Sequence, residues 1–145
     1  MTALDLFRHD FVLSIKPEYA AKIIAGEKTV ELRRRFPAGT VTGAVAYIYA
    51  TVPVQALIGW VTIAEVRCMP VREIWAQFAR AACIEAGDFR EYFDDLENGY
   101  VLVLEQPKAL VPPIGLSELK TRLNFAPPQS YCYADDSFRR LIQHA

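Results

Sequence analysis

Apolar positions in this chain alternate between two periods, and the switches between them mark out the elements. After a loose lead-in over residues 1–10, the apolar run 11–15 reads as a first strand. Pro17 suits the first turn of a helix, where its missing N–H is no loss. Behind it Tyr19, Ala20, Ile23 and Ile24 recur at the three- and four-residue spacing of a buried helical face. Gly26 stands where a left-handed cap would end that helix. The period then becomes two: Val30 and Leu32 point one way, Thr29, Glu31 and Arg33 the other, with Lys28 at the junction. That polar row is either the solvated face of a half-buried strand or the base of a polar site.

Further along, residues 37–43 carry loop chemistry. Residues 44–50 form an apolar strand expected to be buried on both faces or to line a barrel. A break over 51–54 leads to a long strand, 56–66, in which Gly59 marks a bulge or a close backbone approach. The spacing predicts a helix over 71–82, with Ile74, Trp75 and Phe78 on one side, then a second from Asp88 to about Asp95. In that second helix Phe89, Tyr92 and Phe93 read as core. A strand over 99–105, an extended stretch over 111–114 and a helix over 117–123 follow. Residues 125–133 are irregular or strand-like, and Asp135 or Asp136 caps a last helix through Phe138, Leu141 and Ile142. Five or six strands, with helices inserted irregularly, do not make a doubly wound sheet. The expected class is α+β: a small mixed β-barrel with peripheral helices, forming one domain over residues 1–145.

Charge sharpens this picture. The formal net charge is −1, which argues against coating duplex DNA through charge alone. Its distribution is uneven. Lys16, Lys22, Lys28 and Arg33 to Arg35 outnumber Glu18, Glu27 and Glu31 early in the chain, whereas Glu85, Asp88, Glu91, Asp94, Asp95 and Glu97 face only Arg90 later. A basic segment packed against an acidic helix would focus field lines on a small cleft. Cys68, Cys83 and Cys132 form no C-x-x-C pair, and the two histidines, His9 and His144, lie at opposite ends. No metal site or cofactor is therefore expected, and any catalysis must rest on Lys, Glu, Asp or Tyr. The first residues lack a basic start followed by an apolar core, and no apolar run is long enough to span a bilayer; a cytoplasmic protein is expected.

The run Gly26-Glu27-Lys28-Thr29-Val30-Glu31-Leu32-Arg33 resembles the G-x-K-x-x-E-x-R signature of the ASCH domain, a branch of the PUA-like superfamily. Leu13-Ser14-Ile15-Lys16-Pro17, Tyr47-Ile48-Tyr49-Ala50-Thr51 with Pro53, and Pro127-Pro128-Gln129-Ser130-Tyr131 extend the likeness from about Phe11 to Tyr133. The resemblance implies a PUA-like barrel that binds single-stranded RNA, or a modified nucleobase or nucleoside, in a cleft beside the helix after the first strand. By position that cleft would be lined by Ser14, Lys16, Lys28, Glu31, Arg33, Tyr49, Thr51, Gln129 and Ser130. Glu31 would accept from an exocyclic amine, Lys16 and Arg33 would hold phosphate or carbonyl oxygens, and Tyr49 would offer a stacking face.

Such relatives are described as predicted transcriptional regulators, which implies a regulatory role. Others are hydrolases: acetylcytidine amidohydrolases, in which the motif lysine activates a threonine three residues on, and an RNA-cleaving member. Here that threonine position is Glu31, and a later acid of the amidohydrolases corresponds loosely to Glu85. If the chain is an enzyme, Lys28, Glu31 and Glu85 are the expected catalytic residues, with Glu31 as general base toward water.

Overall fold

A computed structural model describes residues 9–37, 39 and 41–143. Six strands and five helices follow one another along these residues: β1 (Asp10–Ile15), α1 (Pro17–Ile24), β2 (Val30–Arg33), β3 (Val45–Ala50), β4 (Ala56–Pro70), α2 (Val71–Ala82), α3 (Ala86–Tyr92), β5 (Asn98–Gly115), α4 (Leu116–Leu123), β6 (Tyr131–Ala134) and α5 (Asp136–Gln143). The strands make one mixed sheet in the order β2-β5-β4-β3-β1-β6. Only β1 and β3 run parallel. The other neighbours are antiparallel.

The class is the α+β arrangement the sequence suggests, with one correction to the barrel. No ladder joins the edge strands β2 and β6, so the sheet is open. The β2 edge is tied across the gap by side-chain bonds instead: Arg33 at its end donates to Ser130 Oγ just before β6 (3.0 Å) and to Ser14 O in β1 (3.3 Å). A gap spanned by side chains leaves room for a cleft that a continuous ladder would have filled.

Strand alternation sorts the core into layers. Phe11, Leu13 and Ile15 join Ala46, Ile48, Ala50, Val61, Ile63 and Leu102 under α1, which contributes Ala20 and Ile23. On the opposite face Val12, Tyr47, Tyr49 and Leu57 are covered by Leu119 of α4, Phe125, and Phe138 and Leu141 of α5. A third group, Val30, Leu32 and Val101, packs against Ile74 and Ala82 of α2 and Phe89 and Phe93 around α3. Both faces of β1 and β3 are thus buried, which explains their unbroken apolar runs.

The differences from expectation lie mainly at strand ends and in one helix. Asp10, read as part of a lead-in, begins β1: its Oδ1 accepts from Val45 N at 2.9 Å. Residues 1–8 of that lead-in lie outside the described residues. β4 runs on to Pro70, and β5 absorbs both the 99–105 strand and the extended stretch around Pro112, the two strands pairing from Ala56↔Gly115 to Pro70↔Asn98. Register shifts along that ladder and the positive φ of Gln106 (53°), just before Pro107, interrupt the pattern. The bulge expected at Gly59 is present, with a register shift between Leu57 and Gly59. The helix expected from Asp88 starts two residues earlier, with Glu85 at its N-cap position and Asp88 in its first turn.

Candidate functional site

Because Val30 and Leu32 must face the core group under α2, alternation turns Glu31 and Arg33 to the other side of β2. That side is not solvated. Glu31 is 9% exposed and Arg33 6%. Two charged residues this far from water are tolerated only when paired and hydrogen-bonded. Glu31 Oε1 lies 3.3 Å from Lys28 Nζ, and Oε2 accepts from Arg33 Nη2 at 3.0 Å. One carboxylate is therefore shared by two buried cations.

Lys28 has further partners. Its Nζ donates to the Ala82 carbonyl at the end of α2 (2.6 Å) and sits 5.3 Å from the centre of the Tyr19 ring. Capping the last carbonyls of a helix with a cation is favourable on dipole grounds, and the ring face adds attraction. The adjacent Thr29 N donates to Ala81 O (2.9 Å), so the turn after Gly26, where φ is +81°, is fastened to the end of α2. Lys28 stands behind Glu31 and does not itself line the open space.

Arg33 forks inward. Nη1 donates to Ser130 Oγ and, more weakly, to Ser130 O (3.4 Å), and Nη2 donates to Ser14 O (3.3 Å) and Glu31. All four terminal N–H groups are committed to protein acceptors. Arg33 Nε is buried with no partner among the described residues. The expected hold of Arg33 on ligand phosphate or carbonyl oxygens is thus corrected: the fork is used to join β1, β2 and the approach to β6.

Beside this floor opens a cleft of about 770 Å³, lined by Ser14, Lys16, Glu31, Arg33, Thr51 and Gln129 among the residues expected from sequence. Ser130, also expected there, is exposed and outside the lining, and accepts from Arg33. Tyr49 is a second correction: it does not line the cleft, and its ring is 2% exposed and packed on Phe125, with centroids 5.6 Å apart. The reason is alternation, since Ile48 and Ala50 face the α1 side of β3 and Tyr49 must face α4 and α5. Glu85 is exposed at the start of α3 and outside the lining. Thr29, the hydroxyl nearest in sequence to the motif lysine, is also exposed and outside it.

The opposite wall comes from α1 and α3: Tyr19, Asp88, Glu91 and Tyr92. Tyr19 and Tyr92, expected in the core, pack against its edge and also reach the cleft. Tyr92 OH donates to Leu32 O (3.1 Å), and Arg34 Nη1 donates to Tyr92 O (2.7 Å) and Asp94 O (3.1 Å), holding the end of α3 to β2. Basic and acidic segments far apart in sequence thus meet across one opening, as their charge complementarity suggested.

Burial raises the Tyr19 phenol above its ordinary value of 10.0, and the nearby carboxylates of Glu18, Asp88, Glu31 and Glu85 push it the same way. Burial also raises Tyr92, partly opposed by the Arg33 guanidinium. Both phenols are hydroxyl groups at neutral pH, so neither serves as an anionic nucleophile there. In alkali the unfolded chain gives up these protons near pH 10 while the folded chain retains them, so stability falls as pH rises above 10. Absorbance titration is expected to show a late-ionising fraction that shrinks in Tyr92→Phe. The same substitution should cost about 1 kcal/mol in urea unfolding, through the lost bond to Leu32.

The ASCH domain family model matches residues 13–108. The chain belongs to the ASCH domain family. An ASCH domain-containing ribonuclease from Zymomonas mobilis is 36% identical over 124 residues, covering 85% of this chain and 82% of the relative. The crystal structure of ASCH from Zymomonas mobilis matches with a TM-score of 0.86 at 34% identity, covering 92% of this chain and 94% of that one. Human THYN1, solved in complex with 5-methylcytosine containing DNA, matches at TM-score 0.56 and 11% identity over 94% of this chain and 96% of its own, a likeness of fold alone. Among the described residues of this ASCH domain no group of three or more His, Cys, Asp or Glu is placed to hold a metal ion. No described helix is long and apolar enough to cross a membrane.

Proposed function

We propose that this chain binds single-stranded RNA, or a modified nucleoside, in the cleft floored by Glu31. One observation carries the reading: a buried, doubly paired carboxylate lies at the base of an opening whose walls include two tyrosines and whose exposed cations are Lys16 and Arg34. An opening of about 770 Å³ is within the range that encloses a small organic ligand. Its size suits an unstacked base with its sugar. Tyr19 and Tyr92 offer aromatic surface of the kind that bases pack on. A ligand class of this kind agrees with the Zymomonas relative, whose name describes a ribonuclease.

That relative also favours a second reading, cleavage of the bound strand. In such a reaction Glu31 would take the proton from the attacking hydroxyl as its oxygen bonds to phosphorus, the P–O bond to the next nucleotide would break with water protonating the departing oxygen, and Lys16 would offset charge gathering on the phosphate. Hydrolysis of acylated cytidine has less support here, because Thr29 is exposed and outside the cleft while Glu31 occupies the threonine position of the amidohydrolases.

Fluorescence anisotropy with a short single-stranded RNA tests the binding reading. Affinity is expected to fall as salt rises, and Lys16→Ala should make the slope of log affinity against log salt shallower by about one unit. Chromatography of the same mixtures, and of mixtures with acetylcytidine, separates binding from turnover. Absence of RNA and nucleoside binding at low salt would end the proposal.

A further inference from the structure

The hydrogen-bonding groups of the cleft are unequally available, and the inequality points to a class of base. Near the floor the charged donors that could reach the opening are already used, and Arg33 Nε, which has no partner among the described residues, is itself buried. The four terminal N–H groups of Arg33 go to Ser14, Glu31 and Ser130, and Lys28 is committed to Ala82 O and Glu31 behind the surface. The Tyr92 hydroxyl gives its proton to Leu32 O, which leaves it only lone pairs for anything in the cleft. The acceptors are in surplus. A carboxylate has about four lone-pair positions. Glu31 uses one on Lys28 and one on Arg33, and its side chain is still 11% exposed toward the opening. Asp88 and Glu91 add carboxylates on the α3 wall. The exposed cations, Lys16 and Arg34, lie farther out, where a sugar–phosphate backbone would remain.

We propose that the cleft selects nucleobases that carry an exocyclic amino group, with Glu31 as the residue that reads it, and disfavours uracil. The inference rests on the nucleic-acid reading above and goes further, to which base enters. Cytosine places an N–H donor where uracil places a carbonyl oxygen. A carbonyl facing Glu31 would set acceptor against acceptor in a partly dry site, which is more costly than a missing bond. The two pyrimidines have nearly the same size and stacking surface but differ at two positions, the exocyclic group and N3, which is an acceptor in cytosine and an N–H donor in uracil; N4,N4-dimethylcytidine, which keeps the cytosine N3, isolates the amino group. Adenine fits the same rule with a larger ring.

The test uses the full chain and single-stranded oligomers of cytidine, adenosine and uridine of equal length, read by fluorescence anisotropy. Cytidine and adenosine oligomers are expected to bind at least about tenfold more tightly than uridine. An oligomer of N4,N4-dimethylcytidine, which has lost both N–H groups, should bind as weakly as uridine, with the protein left intact. Glu31→Gln, checked for folding by circular dichroism, replaces one acceptor oxygen with an N–H donor and should bring cytidine and uridine affinities together. Equal binding of cytidine and uridine oligomers by the unaltered protein overturns the inference while leaving RNA binding in place. So does adenosine alone binding tightly, since that is the signature of stacking. Failure of all the oligomers to bind overturns the underlying nucleic-acid reading instead.

Discussion

Glu31→Ala is expected to lower stability by about 3–5 kcal/mol, the usual result of leaving a buried charge without its partner. Here two cations lose the same carboxylate, Lys28 at 4% exposure and Arg33 at 6%. Neither can swing into water without giving up Ala82 O in one case, or Ser14 O and Ser130 in the other. Out of a typical total of about 5–15 kcal/mol, such a loss brings the chain near the margin of folding. The measurement is urea unfolding followed by fluorescence and circular dichroism. Glu31→Gln keeps one acceptor and should be milder, so the difference between the two variants reports the charge pairing. A loss under about 1 kcal/mol in Glu31→Ala would mean that the pair is solvated, as in surface ion pairs.

Gly59→Ala should be comparably damaging for a steric reason. A Cβ at this position would lie 2.2 Å from Lys108 O and 2.7 Å from Ile24 Cδ1. The side chain of Ile24 can move, but Lys108 O belongs to the backbone of β5, held by the longest ladder in the sheet. Relief requires β4 and β5 to separate beside the register shift, at a cost of about 3 kcal/mol or more. Gly26→Ala is a useful contrast, since a Cβ there meets nothing within 4 Å and only the left-handed backbone opposes it. It should cost about 1 kcal/mol. Thermal denaturation of the two variants side by side is expected to give a clearly larger drop for Gly59→Ala.

These positions also show how far the sequence is readable. Gly59 could be singled out because a glycine inside an otherwise apolar strand is rarely there for its side chain, and the structure supplies the atom that excludes one. The helix over 71–82 coincides with α2 because its periodicity has no competing pattern. β2 is harder. Alternation correctly puts Glu31 and Arg33 on one side but does not say whether that side is wet, because burial depends on partners distant in the chain. Ser14, Ala82 and Ser130 all converge there through the fold.

Tyr49 and Tyr92 illustrate the same limit in opposite directions. Tyr49 lies in a motif segment and looks like a ligand contact, yet β3 is covered on both faces and the ring is enclosed. Tyr92 lies in an aromatic stripe that looks like core. Phe89 and Phe93 do fill that core, while α3 turns Tyr92 toward β2 and the opening. A short helix that with its C-cap residue carries three aromatics has more apolar surface than one core face can take, and sequence does not say which ring is left outside. The charge blocks around residues 14–35 and 85–97 were the readable hint that α3 is a wall of the cleft.

The most direct test of the cleft as the RNA site is a titration of the isotopically labelled protein with a short single-stranded RNA, followed by amide chemical shifts. The account predicts shifts concentrated at Ser14, Lys16, Glu31 to Arg34, Thr51 and the α3 residues Asp88 to Tyr92, with α4 and α5 on the far side of β3 nearly silent. Shifts centred on α4 and α5, with the amides around Glu31 unmoved, would contradict it.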